Sequence, residues 1–121
     1  MRYLLLIAND TRALEYLPPA VQATLMKAWA RYAADLQAAG VLLGAAALQP
    51  AATATTVRAA AGQIMIADGP FAETKEQLIG YFLIAAPDLD AALGWVAKMP
   101  HLAHGGATEV RPVRSDDSQP D

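Results

Sequence analysis

Two segments of the chain are apolar at consecutive positions rather than at alternate ones. They are Tyr3 to Ala8 and Tyr81 to Ala86. Apolar side chains on both faces are typical of a strand that other structure covers on two sides. The pattern therefore predicts that both segments are central strands of a sheet.

Between these segments the apolar spacing changes to steps of three and four residues, which predicts a long amphipathic helix. The stripe comprises Val21, Leu25, Trp29, Tyr32 and Leu36. Pro18 and Pro19 suit the first turn of this helix, and Gly40 suits its end. The polar segment before it, Asn9 to Leu17, is expected to be a loop.

A second helix is predicted from Asp88, which would cap its N-terminus, to Pro100, which would end it. Its inner face is expected to carry Leu89, Leu93 and Val96.

Further β structure is predicted in three places. Val41 to Leu48 indicates a strand, and 54–60 with 63–67 indicates a hairpin around a glycine-containing turn. Ala107 to Val113 carries charged residues and a proline, which favours an edge strand.

The order strand, helix, strand, hairpin, strand, helix, strand predicts an α+β fold of the ferredoxin-like, split β-α-β type. In that layout the first and third main strands are central, as the apolar pattern independently predicts. Two helices cover only one face of the sheet. A homodimer with sheet facing sheet is therefore expected.

Composition supports association and excludes some function classes. The chain is 55% hydrophobic and only 17% charged, which favours a buried subunit interface. Nine scattered Lys and Arg against twelve Asp and Glu give a net charge of -3, so nucleic-acid binding is not expected. Cysteine is absent. The short N-terminal apolar run fits neither a signal peptide nor a membrane span, so we expect a cytoplasmic protein.

The stretch "ADGPFAETKEQLIGYF", Ala67 to Phe82, has a purely architectural interpretation. Asp68, Gly69 and Pro70 suit a turn, after which Phe71 would anchor the loop in the core. Thr74 and Gln77 fit a capping box, so 73–78 could form one helical turn.

The same stretch also has a functional interpretation. Asp68 could act as a general base, with Glu73 nearby and Lys75 as a cation for a developing negative charge. A carboxylate at the mouth of an apolar cavity would have its pKa raised by desolvation, and a nearby lysine would oppose that change.

Three further residues are candidates for ligand binding. Arg58 could bind an anionic group if it points inward. His101 and His104 lie in a loop before the last strand, and exposure to solvent is the more usual outcome for such histidines. With no acid or cysteine near them in sequence, no metal site is predicted, and no cofactor is indicated.

"DGPFAETKEQLIGYFLI" resembles the signature of the DGPF family of YCII-related proteins, and "GAAALQP" and "TEVRPV" resemble its flanking motifs. The resemblance runs from Tyr3 to about Val113. It implies a ferredoxin-like, dimeric α+β barrel over residues 1–114. The polar residues at 115–121 separately predict a disordered tail. It brings no established reaction, because the family is largely uncharacterised, although some members are encoded with or fused to sigma factors.

The wider YCII-like superfamily is associated with a His and Asp pair in a cleft, and some relatives are lyases or dehydrochlorinases acting on small ring compounds. Here no histidine precedes His101, so that mechanism does not transfer directly. Asp68 is the acid that matches a position of the signature.

Three hypotheses follow from the sequence. The first is a small lyase or isomerase that acts on a small molecule in an intersubunit cavity through Asp68, Glu73 and Lys75. The second is a non-catalytic ligand-binding or regulatory module linked to a partner such as a sigma factor. The third is that the signature is purely architectural.

Overall fold

A computed structural model describes residues 1–115 of the chain. The helices and strands are β1 (Arg2–Asn9), α1 (Thr11–Glu15), α2 (Pro19–Ala38), β2 (Leu42–Ala47), β3 (Thr55–Ala60), β4 (Gln63–Asp68), β5 (Gln77–Ala85), α3 (Leu89–Val96) and β6 (Ala107–Pro112). Short 3₁₀ helices occupy Ala51–Thr53 and Pro100–His104. The predicted disordered tail was placed at 115–121, and its residues after Ser115 lie outside the described residues.

The main sheet has the strand order β2-β5-β1-β6, and every neighbouring pair is antiparallel. The two central strands are the two segments whose side chains are apolar on both faces. The predicted ferredoxin-like α+β fold is therefore confirmed. Strands β3 and β4 form the predicted hairpin as a separate two-stranded sheet.

The core lies on one face of the main sheet, under the helices. Leu5 pairs with Phe82 across the two central strands, and both are buried together with Ile84. On the opposite face, Leu4 and Leu83 also pair but are only half-buried. The second apolar face of the sheet is thus covered incompletely within one chain.

Helix α2 supplies most of the cover, and the predicted stripe faces the sheet. Leu36 and Tyr32 are buried, and Trp29 is half-buried. The hydroxyl of Tyr32 donates a 2.9 Å hydrogen bond to the carbonyl oxygen of Trp95, which joins α2 to α3. Burial raises the pKa of Tyr32 to about 12, so the phenol remains a donor at neutral pH.

Helix α3 begins as predicted, because the carboxylate of Asp88 accepts a 2.9 Å hydrogen bond from the backbone amide of Ala91. Its predicted inner face was wrong in two positions. Leu89 and Leu93 are exposed, whereas Ala92 is fully buried. A small side chain at the contact lets this short helix lie close to the sheet, which turns both leucines toward solvent.

Two local predictions about the signature were also wrong. Phe71 does not anchor the loop, since its side chain is 79% exposed. Residues 71–76 form bends and no helical turn. The Thr74 hydroxyl donates to the Glu76 carbonyl and the Gln77 amide to the Thr74 carbonyl, so these side chains satisfy the loop's own carbonyls instead of capping a helix.

The segment from Asn9 to Leu17 was predicted to be a loop, but it contains the short helix α1. The Asp10 carboxylate accepts a 3.0 Å hydrogen bond from the backbone amide of Arg12 and caps this five-residue helix.

Candidate functional site

The Asp-Gly-Pro loop is fastened to the neighbouring strand β3. The backbone amide of Gly69 donates to the carbonyl oxygen of Ala54 at 2.7 Å, and the hydroxyl of Thr56 donates to the carbonyl oxygen of Gly69 at 2.6 Å. Gly69 has a φ of 101°, a conformation that favours glycine. Backbone geometry thus explains this part of the signature.

Arg58 takes part in the same fastening. Its guanidinium donates a 2.8 Å hydrogen bond to the carbonyl oxygen of Phe71. The side chain is exposed on β3, so the inward orientation that anion binding would require is not seen within one chain. Arg111 forms a 2.6 Å ion pair with Glu109 on β6.

The structure places the three predicted acid-base residues at one end of the hairpin. Asp68 is the last residue of β4. Glu73 and Lys75 follow in residues 69–76 between β4 and β5, which we call the signature loop. All three are exposed, and among the described residues they line neither of the two cavities below. Their catalytic role stays a prediction.

The first cavity lies between α2 and the sheet, at the β2 edge, with a volume of about 470 Å³. It is lined by Ile7, Met26, Trp29, Ala33, Ala45, Ala46, Ala47, Ile79, Gly80, Tyr81 and Phe82. We call it the α2–sheet cavity. Pockets for small organic ligands have volumes of about 300–1,000 Å³ and mostly apolar walls.

Small residues create this space. Ala47 pairs with Gly80, and Ala45 pairs with Phe82, so the helix-facing side of the β2 edge carries almost no side-chain volume. Gly80 also lets the two backbones come close, because a Cβ there would lie 2.8 Å from the carbonyl oxygen of Ala46. The small alanine side chains of β2 therefore leave the space between α2 and the sheet edge unfilled.

A second cavity of about 590 Å³ lies between the signature loop and the segment that enters β3. Its lining is more polar and includes Thr53, Thr56, Thr74, Glu76 and Gln77. Its walls are formed by loop residues and by the first residues of the hairpin.

His101 is fully buried rather than exposed, which corrects the expectation for this loop. Its Nε2 lies 2.9 Å from the carbonyl oxygen of Ala107 and 3.1 Å from the hydroxyl of Thr108. A carbonyl only accepts, so Nε2 carries the hydrogen and Nδ1 presents a lone pair. The Thr108 hydroxyl in turn donates to the sulfur of Met99 at 3.1 Å.

The imidazole is held neutral by its surroundings. Desolvation by burial lowers the pKa of His101, and the hydrogen bond to the Ala107 carbonyl opposes that change only in part. The ring also lies against the indole of Trp29, with centroids 5.2 Å apart. Since Trp29 lines the α2–sheet cavity, this histidine is adjacent to the cavity wall.

Asn9 is the second buried polar residue of the same region. Its Oδ1 accepts a 2.8 Å hydrogen bond from the backbone amide of Asp10, which fixes the orientation of the side-chain amide. A Cβ on Gly106 would lie 3.0 Å from Asn9 Nδ2 and 2.3 Å from His101 Cδ2, so the amide and the imidazole flank the same glycine.

His104 lies one 3₁₀ turn further on and is half-buried. Within residues 1–115 no three His, Cys, Asp or Glu side chains are grouped closely enough to hold a metal ion. The two histidines therefore do not combine with an acid into a ligand set there.

Asn9 was predicted to begin a loop, but it is the last residue of β1, and its position next to His101 was not predicted. A signal was present in β1. Tyr3, Leu5 and Ile7 alternate on the buried face, and Asn9 continues that alternation as a polar residue at a buried position. Gly106, which makes room for both side chains, carries no such signal.

Comparison with known proteins adds a family and a fold. A model of the YCII-related domain matches residues 1–115. An uncharacterised protein of Rhizobium meliloti (strain 1021) is 45% identical over 76 residues, which is 62% of this chain and 61% of that relative. The match therefore spans less than two thirds of the relative's length.

A solved structure is similar over the whole chain. The 5-chloro-2-hydroxyhydroquinone dehydrochlorinase from Burkholderia phenoliruptrix AC1100, in complex with 2,5-dihydroxybenzoquinone, has a TM-score of 0.58 and 16% identity. The alignment covers 99% of this chain and 100% of that one. At this identity the likeness shows the shared fold.

None of the helices between residues 1 and 115 combines the length and the hydropathy that a membrane crossing requires.

Proposed function

Since the chain belongs to the YCII-related family, we propose that it is a small enzyme of the lyase or isomerase class that acts on a small ring-shaped molecule. The observation that carries this proposal is the α2–sheet cavity, whose volume of about 470 Å³ suits such a ligand. Its wall includes the stacked rings of Trp29 and Phe82, with centroids 6.1 Å apart. Aromatic faces of this kind favour a planar ligand.

The chemistry of the structural relative supports a ring compound as the substrate. That protein is a dehydrochlorinase bound to a dihydroxybenzoquinone. Loss of HCl from a chlorinated hydroquinone needs a base to take a hydroxyl proton. The chlorine-bearing carbon first takes a proton as one hydroxyl becomes a carbonyl, which makes that carbon tetrahedral. The base then takes the proton of a second hydroxyl, whose O–H electron pair forms the second carbonyl while the ring double bond shifts and chloride leaves with the C–Cl pair.

We assign the base to Asp68, with Glu73 beside it and Lys75 offsetting the negative charge that develops. In one chain these residues face solvent, so the proposal requires a second copy to complete the site. The proposed function therefore includes a homodimer in which the hairpin of one chain covers the open side of the other chain's α2–sheet cavity, so that the cavity becomes intersubunit.

The hairpin supports this arrangement. Val57, Ile64 and Ile66 lie on one face of it and are 58%, 68% and 71% exposed. Asp68 lies on the same face, opposite Thr55 at the base of the hairpin. A two-stranded ribbon is barely stable unless other structure packs against it. Docking this face on a second chain would bring Asp68 to the interface.

The test is chloride release from 5-chloro-2-hydroxyhydroquinone under anaerobic conditions, measured with an ion-selective electrode. Asp68→Asn should lower the rate by about 10²–10⁴-fold, the usual contribution of a general base. Asp90→Asn, an exposed carboxylate on α3, is the matched control and should leave the rate unchanged. Full activity of Asp68→Asn would remove Asp68 from the mechanism.

The alternative is a non-catalytic module that binds a ligand in the same cavity. The exposure of Asp68, Glu73 and Lys75 in the single chain favours it. Binding of the ring compound without any chloride release, in wild type as in Asp68→Asn, would support this alternative. The link of such a module to a sigma factor, and a cytoplasmic location, stay predictions.

A further inference from the structure

Two buried polar atoms next to the α2–sheet cavity have no hydrogen-bond partner among the described residues. They are Nδ1 of His101 and Nδ2 of Asn9. A buried donor or acceptor that is left unpaired costs about 1–3 kcal/mol, so native proteins rarely keep one without a reason. The two side chains flank Gly106, which lies next to Cδ2 of the imidazole and Nδ2 of the amide. Two unpaired buried atoms in neighbouring side chains indicate a site.

The two atoms are complementary in chemistry. His101 Nε2 donates its hydrogen to the Ala107 carbonyl, so Nδ1 is an acceptor. Asn9 Oδ1 is engaged by the Asp10 amide, so Nδ2 is a donor. A group that can both donate and accept a hydrogen bond would satisfy both, and a hydroxyl is the smallest such group that an organic ligand carries.

The side chains around the cavity connect it to this pair. Ile7 lines the cavity, and Asn9 is the next residue along β1 on the same face. Trp29 lines the cavity and lies against the His101 ring. A shift of the half-buried indole would join the apolar space to the two polar atoms.

We propose that Asn9 and His101 form a hydroxyl-binding subsite behind the Ile7 and Trp29 wall of the α2–sheet cavity, which selects hydroxylated rings over plain ones. Asn9 donates to the ligand oxygen, and His101 Nδ1 accepts from the ligand hydroxyl. This inference rests on the proposed function, because it concerns the ligand of the same cavity.

The subsite binds the hydroxyl in its neutral form. Burial lowers the pKa of His101, so an imidazolium is disfavoured there and the ring is a poor acceptor of a whole proton. Its role is therefore ligand selection and orientation. Proton removal is left to the carboxylate at the interface.

The experiment compares two probes, hydroquinone and toluene, on the Trp95→Phe variant, in which Trp29 is the single tryptophan of the chain. Trp29 fluorescence reports occupancy of the cavity. The ¹⁵N resonance of His101 Nδ1 reports a hydrogen bond to that atom. Hydroquinone should move this resonance and toluene should not, while the His104 resonances stay in place with both probes.

The Asn9→Ala variant provides a second measurement. It should weaken the binding of hydroquinone about fivefold to tenfold, which is the effect of losing one hydrogen bond, and leave the binding of toluene nearly unchanged. Gln37→Ala, which removes an exposed amide from α2, is the matched control.

The outcomes separate this subsite from the proposed function. If hydroquinone occupies the cavity but the Nδ1 resonance does not move, the subsite is refuted and the proposed function stands. If Trp29 reports no binding of either probe, the cavity is not a ligand site and both proposals fall.

Discussion

Replacing Gly106 with alanine should destabilise the protein by about 2–4 kcal/mol. The new Cβ would lie 2.3 Å from Cδ2 of the His101 ring and 2.9 Å from the His101 carbonyl oxygen. Both distances are far below van der Waals contact, and the ring has no free volume because it is fully buried. The φ of Gly106 is not positive, so steric overlap alone produces the effect.

The magnitude has two parts. Forcing an extra methyl group into a filled site costs about 1–3 kcal/mol in strain. Displacing the imidazole also weakens the hydrogen bond from Nε2 to the Ala107 carbonyl, which is worth about 1 kcal/mol. Small domains are stable by only about 5–15 kcal/mol, so the loss is easily measured.

Urea denaturation followed by circular dichroism measures the free energy of unfolding. Gly94→Ala is the matched control, because Gly94 lies within α3 and a Cβ there meets nothing within 4 Å. It should stabilise by up to about 1 kcal/mol through helix propensity. In a His101→Ala background, Gly106→Ala should cost less, because the nearest clash is gone.

A Gly106→Ala protein as stable as wild type would refute the placement of His101. The imidazole would then not lie against Gly106, and the pairing of His101 with Asn9 would fail with it. A cost unchanged in the His101→Ala background would instead place the clash on the backbone carbonyl alone.

Two further predictions concern the same framework. Because burial lowers the pKa of His101, the stabilising effect of its neutral form is fully present above pH 6.5, its ordinary value, and is lost as the pH falls toward the lower folded-state pKa. The free energy of unfolding should fall there by up to about 1.4 kcal/mol per pH unit, and the histidine contribution should disappear in His101→Gln but persist in His104→Gln. Asp88→Ala should cost about 1 kcal/mol in thermal or urea unfolding, because it removes the hydrogen bond to the Ala91 amide, and Asp88→Asn should retain most of that stability. No change in Asp88→Ala would mean that the cap contributes nothing to folding.

Much of the fold could be predicted from local pattern. A side-chain period of two or 3.6 is a property of the backbone, so the sequence indicates which positions of β1 and α2 share a face. The two strands that are apolar on both faces had to be central, and the sheet order β2-β5-β1-β6 agrees. Proline and aspartate affect the backbone of the helical turn in which they lie. The starts of α2 and α3 could therefore also be predicted.

Positions whose environment depends on packing were predicted less well. Leu89 and Phe71 are apolar, so burial was predicted for both, but both are exposed. The face that a helix buries depends on how closely it can pack on the sheet. The position of a loop residue depends on hydrogen bonds such as the one from Arg58 to the Phe71 carbonyl. Asp68 was a reasonable candidate for a site by residue type. In the proposed homodimer its environment would depend on a second chain, which the sequence does not position.

The sequence by itself determined the order of the elements, the central strands and the family signature, because each depends on residues close together along the chain. Only the tertiary structure brought Asn9, at the end of the first strand, against His101, in the loop before the last one. Which polar atoms meet, and which remain unpaired beside a cavity, depends on how distant segments pack. That is why the hydroxyl-binding pair could be recognised only in the folded chain.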